Sequence, residues 1–143
     1  MLGENALEID LAGVESIVGA SMAWGDKKSD ILINNAENEY PMAGERTEAF
    51  NANTLGPLLL TKYLLHALQK STAGQVINII DRISDEESLA KHVAYHASKA
   101  AMESVTLSMA AMHNSKDIRT EWDDNSRLMD WRGMDLTGPR RPE

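Results

Sequence analysis

Cysteine is absent from this 143-residue chain, which excludes disulfides, thiolate nucleophiles and Cys-based zinc sites together. Positive charge is the minority: 14 Lys and Arg face 22 Asp and Glu, a formal net charge of −8 at pH 7. A surface for nucleic acid or anionic lipid needs the opposite balance, so neither is expected as a partner. No apolar run reaches the roughly 20 residues of a membrane span. The acidic start MLGENALEID lacks the basic stretch of a secretory signal, and a cytoplasmic protein is the expectation. Internal repeats and low-complexity tracts are also missing. What remains is 43% hydrophobic and 25% charged, near globular averages and enough for the core of one domain.

Several segments carry a clear period. ALEID is short and reads as a strand closing at Asp10. LAGVESIVGASMAW repeats apolar residues at helical spacing, with Gly25-Asp26 as the stop. DILINNA is a continuous apolar run, the pattern of a strand buried on both faces. From about Thr47 to Lys70 the pattern is helical, interrupted by Gly56-Pro57, and GQVINII is a second buried strand. A polar loop, DRISDEESLAK, leads to the helix VAYHASKAAMESVTLSMA. Strands alternating with helices predict an α/β domain with a parallel sheet. After Met112 both charge signs crowd together without a period, and residues 113–143 read as a divergent charged tail.

The last helix places Tyr95 and Lys99 one turn apart on one face. A free tyrosine, with a pKa of about 10, is a poor base at neutral pH. An ammonium about 4 Å away, at an effective dielectric near 20, favours the phenolate by roughly 4 kcal/mol at most, or about three pKa units. That brings a tyrosine within range of proton transfer at pH 7, although an i, i+4 Tyr–Lys pair is also an ordinary surface feature. Asn53 stands four residues before Pro57, whose missing N–H removes the helical partner of the Asn53 carbonyl. A kink there with a carbonyl open to water is one reading, a plain proline kink the other. His92 and His96 form an H-x-x-x-H pair, but without the HExxH glutamate or a third ligand no metal site is expected.

DILINNA, FNANTLGP and YHASK, in this order, resemble the short-chain dehydrogenase/reductase family: its Asn-Asn-Ala turn, its helical Asn and its Tyr-x-x-x-Lys. The likeness runs from about Leu7 to Met112. It implies Tyr95 as general acid/base, Lys99 as the residue that tunes it and holds the nicotinamide ribose, and Asn53 as holder of a relay water. It further implies that Asn34, Asn35 and Ala36 lie beside the cofactor's adenosine half, where Glu37 replaces the usual glycine, and that Asp10 contacts the adenine ring. VINIID puts Asp81 where most of the family has serine. An aspartate there, with YHASKAAMESVTLSMA, is similar to the pteridine reductases, and a carboxylate pairs naturally with pterin nitrogens; an aspartate opening a polar turn is the other reading. The implied cofactor is NADP or NAD, with no metal.

The family's Gly-rich phosphate turn has no counterpart before Asn34. The expected fold is therefore a partial Rossmann-like parallel sheet with flanking helices, lacking the first βαβ unit. Residues 1–112 form the partial dinucleotide-binding domain, and DILIN has an unpaired edge. Two functions follow. One is an NAD(P)-dependent oxidoreductase delivering hydride to a carbonyl or pterin-like C=N bond of a small molecule. The other is a catalytically inactive truncated remnant acting by association with a full-length relative. The resemblance implies that the Thr47–Lys70 and His92–Met112 helices are candidate self-association surfaces, and the alanines at 94, 97, 100, 101, 110 and 111 suit either that or a plain core contact.

Overall fold

The computed structural model describes residues 6–38, 46–80 and 92–112, and Asp81 and the 113–143 tail lie outside them. Asp10 opens the described chain with a turn rather than a strand. Its N–H donates to Ser16 Oγ at 2.8 Å and its Oδ1 accepts the Ala12 N–H at 2.9 Å. A strand exists only where its N–H and C=O groups meet a neighbour. Residues 6–10 have no ladder partner among the described residues, so the strand expected at ALEID does not form there. The turn feeds α1 (Val14–Trp24), which stops at Gly25 with φ +63°, a left-handed position suited to glycine.

Two parallel strands follow, β1 (Ile31–Asn34) and β2 (Gln75–Asn78), paired Ile31 to Gln75 through Asn34 to Asn78. Their connection is one helical stretch from residue 46 to 68: α2 (Arg46–Phe50), a π-helical turn (Asn51–Leu55) and α3 (Gly56–Leu68). The long helix α4 (Val93–Met112) closes the described chain. No described helix is long and apolar enough to cross a membrane.

Leu68, Val76 and Met109 form the buried core, with Leu32, Leu58, Leu65 and Val105 packed against it. Strand side chains alternate between faces, so Leu32 and Val76 share one face while Ile31 and Ile33 point to the other. That second face is open: Ile31 is 52% and Ile33 58% exposed. Among the described residues DILINNA is thus covered on one side only, in contrast to the two-sided burial expected from its apolar run. A run without alternation records what each face tolerates and does not report which neighbours are present.

The interruption before Pro57 is a π turn rather than a simple kink. The Gly56 N–H reaches back five residues to the Asn51 carbonyl, a shift that lets the helix pass a residue with no N–H to give. Gly56 is also where the helix crosses the Asp10 turn. A Cβ there would sit 2.2 Å from the Leu11 carbonyl oxygen, so only glycine permits this approach.

Candidate active site

The π turn builds the site because it docks α4. Asn53, buried, donates through Nδ2 to Ser98 Oγ at 3.0 Å, and Thr54 Oγ1 donates to the Ser98 carbonyl at 2.9 Å. Ser98 is wholly buried, and its own hydroxyl donates to the Tyr95 carbonyl at 2.6 Å. One residue of α4 is thereby fixed between Tyr95 and Lys99. On its other side the Asn53 amide reads the loop after β1. Its Oδ1 accepts the Asn38 N–H at 2.7 Å and its Nδ2 donates to the Asn38 carbonyl at 3.0 Å. The Asn53 side chain thus joins the loop after β1 to α4.

Tyr95 and Lys99 are both buried. The Lys99 ammonium lies 5.4 Å from the centre of the Tyr95 ring and donates to the Ile79 carbonyl at 3.2 Å. Both tips converge on Glu37. Its Oε2 accepts the Tyr95 hydroxyl at 3.2 Å and forms an ion pair with Lys99 Nζ. The lysine side chain is 5% exposed and the glutamate side chain 30%, so the carboxylate bridges a buried pair to solvent. The Tyr95 hydroxyl is the donor in this contact. The ammonium is engaged by a carboxylate in this state.

The other candidate residues separate. Asn34 is buried in a polar ladder across the sheet: its Nδ2 donates to Asn78 Oδ1 at 2.7 Å and to Thr61 Oγ1 at 3.3 Å. Asn78 Nδ2 in turn donates to Thr106 Oγ1 at 2.9 Å, tying β1, β2, α3 and α4 together. Asn34 Oδ1 is buried without a partner among the described residues. Asn35 and Ala36 are exposed. Asp10, also exposed, lines an open cleft of about 950 Å³ with Ala12, Glu37, Asn38, Glu48, Asn51 and Ala52. His92 and His96 meet edge to face at 6.4 Å, and the His96 ring meets Tyr95 at 5.4 Å. No group of three or more His, Cys, Asp or Glu is placed for a metal among the described residues.

Sequence reasoning passed over Ser98, Thr54 and Asn38 as positioning groups and Glu37 as a member of the site. Ser98 carried a signal, lying inside YHASK on the face of its neighbours. Glu37 carried one only as a departure from the glycine of the resemblance.

The pattern of the short chain dehydrogenase family matches residues 9–122. The chain belongs to that family. Among solved structures, this short chain dehydrogenase is similar to NADPH-bound carbonyl reductase from chicken fatty liver, at 21% identity and TM-score 0.65, over 81% of this chain and 55% of that one. It is also similar to RhlG of Pseudomonas aeruginosa in an NADP active-site complex, at 22% identity and TM-score 0.71, over 85% and 52%. A third likeness is an oxidoreductase of the family from Brucella ovis with a partially ordered NAD, at 22% identity and TM-score 0.67, over 86% and 67%. At these identities the likeness establishes the α/β fold. The chain spans just over half the length of the first two. No curated protein matches the sequence.

The residues present can be weighed against a nicotinamide cofactor. Tyr95 and Lys99 offer two donors that reach one point, which suits the hydroxyls of a ribose. Among the described residues the cleft beside them brings three carboxylates, Asp10, Glu37 and Glu48, and no cation to its lining, a lining that suits hydroxyls and amino groups better than phosphates. The pair fits the ribose end of such a cofactor once Glu37 gives way.

Proposed function

We propose that this chain carries the proton-transfer machinery of a nicotinamide-dependent oxidoreductase acting on a small carbonyl compound or a pterin-like C=N bond. One observation carries the reading: Tyr95 Oη and Lys99 Nζ both contact a single oxygen, Glu37 Oε2. Two donors that reach one acceptor atom from within a buried helix face are placed to serve a reacting oxygen or nitrogen at that point.

A bound nicotinamide supplies the hydride. The chain's residues supply the rest. Tyr95 Oη gives its proton to the substrate heteroatom as hydride reaches the adjacent carbon, and the C=O becomes CH–OH, or C=N becomes CH–NH. Lys99, freed from Glu37, stabilises the phenolate left behind and donates to a ribose hydroxyl. The Asn53 amide, bonded to Ser98 and Asn38, keeps α4 in register with the loop after β1 and so keeps both donors aimed at one point. Asp81 is assigned to substrate amino groups in the pterin version, and NADP is the assigned cofactor. Residues 1–112 are assigned as the cofactor-binding body and 113–143 as a separate tail.

The test is NADPH oxidation with a panel of aldehydes, ketones and dihydropterin, alongside calorimetric NADPH binding. Tyr95→Phe is expected to lower turnover about 10²- to 10⁴-fold, the usual worth of a positioned acid, and to leave binding nearly intact. Lys99→Ala is expected to weaken both. Full turnover in Tyr95→Phe would remove the phenol from the mechanism, and no NADPH binding to the folded chain up to millimolar would remove the cofactor. Dihydropterin turnover without carbonyl turnover would assign the pterin substrate.

A further inference from the structure

We propose that Glu37 is an internal latch on the Tyr95–Lys99 pair, a carboxylate that fills the position a ligand must take and that a nicotinamide ribose displaces. The inference rests on the cofactor reading above for the identity of the displacing ligand, and on the geometry for the latch itself. The Glu37 carboxylate accepts from the phenol and pairs with the ammonium through the same oxygen. A ligand that needs both donors therefore competes with Glu37 for each of them.

The latch has a place to go. Glu37 lines the open cleft with Asp10 and Glu48, and its side chain is already 30% exposed, so it swings toward water without crossing the core. Its neighbour Asn38 is held on both backbone groups by Asn53. The hinge is thus the Glu37 side chain, while the backbone that carries it stays tied to the π turn. An unlatched Lys99 would be a buried cation lacking this counter-charge, a costly state, and the carboxylate stabilises the pair until a ligand arrives. While latched, the Tyr95 hydroxyl and the Lys99 ammonium are both engaged by the one carboxylate.

The experiment uses the full chain, with Glu37→Gln as the shape-preserving variant and Glu48→Gln as a control for the charge of the cleft. Circular dichroism and thermal melts establish that each is folded. NADPH binding is measured by calorimetry. Tyr95 ionisation is followed by phenolate absorbance, with matched Tyr95→Phe chains subtracting Tyr40 and Tyr63. A latch closed in about nine molecules of ten lowers apparent affinity about tenfold. Glu37→Gln is therefore expected to bind NADPH about 10-fold tighter and to ionise Tyr95 at least about one pH unit lower. Glu48→Gln is expected to change affinity by about 2-fold at most, the scale of an exposed charge.

Equal NADPH affinity in the wild type and Glu37→Gln would overturn the latch and leave the cofactor reading standing. Equal tightening by Glu48→Gln would also overturn it, since bulk charge would then account for the gain. A shifted Tyr95 ionisation with no NADPH binding in either protein would uphold the carboxylate's hold on the pair and overturn the cofactor reading. No shift and no binding would overturn both.

Discussion

Two glycines, each replaced by alanine, are expected to move stability in opposite directions. Gly19 lies inside α1, and a Cβ built on it meets nothing within 4 Å. Alanine there lowers the entropy of the unfolded chain and suits a helix, a gain of about 0.5–1 kcal/mol. Gly56 receives the same intrinsic gain, but its Cβ would sit 2.2 Å from the Leu11 carbonyl oxygen and 2.9 Å from the Leu11 Cβ. Both obstacles are backbone or backbone-attached, so no flexible side-chain tip can yield. The turn that Asp10 pins to Ser16 and Ala12 must withdraw from α3 as a unit. Overpacking of this kind costs typically about 1–3 kcal/mol, and a backbone obstacle places Gly56 at the upper end. The net expectation is a loss of about 2 kcal/mol, with roughly 3–4 °C in Tm for each kcal/mol in a chain of this length. Thermal and urea unfolding of the two variants beside the wild type gives the answer. A Gly56→Ala chain as stable as Gly19→Ala would refute the close crossing of α3 over the Asp10 turn.

The polar ladder and the two sheet faces give further tests. Asn78→Ala removes the shorter of the two bonds of the buried Asn34 amide and the donor to the buried Thr106 hydroxyl, and is expected to cost about 2–4 kcal/mol, read by denaturant midpoint. Val76→Ala, on the covered face, should cost about 1–3 kcal/mol, whereas Ile33→Thr on the open face should stay within about 0.5 kcal/mol. Equal costs would mean that the second face is covered too. Asp30 accepts the Ser71 hydroxyl at 2.5 Å and pairs with Lys28 at 2.9 Å, and these contacts hold its carboxyl below the usual value, the Ser71 bond being the larger cause. A carboxyl with a lowered folded pKa contributes stability above its unfolded value near pH 4 and loses it as pH falls through the folded one. Asp30→Asn is therefore expected to flatten the acid limb of the melting curve below about pH 4, and an unchanged slope would remove Asp30 from it.

Local pattern carried much of this protein. The 3.6-residue period and the Gly25 stop located α1, two short apolar runs located the parallel pair, and Pro57 marked where the helical ladder had to change. Spacing alone put Tyr95 and Lys99 on one face, because a helix turns through a fixed angle per residue whatever surrounds it. Position along the chain is silent about what meets across space. The unpaired stretch at residues 6–10 and the open face at Ile31 and Ile33 depend on whether a neighbour is present, which a strand's own letters do not encode. Asn34, read as part of the Asn-Asn-Ala turn, and Asn78, inside an apolar strand run, are joined by the β1–β2 register. Glu37 reaches Tyr95, 58 positions away, where Asn53 ties its loop to the π turn and the π turn ties Ser98. The sequence by itself determined that Tyr95 and Lys99 share one face of one helix. Tertiary structure alone decided that a carboxylate rests on that pair, since ion pairing depends on distance through space and not on distance along the chain.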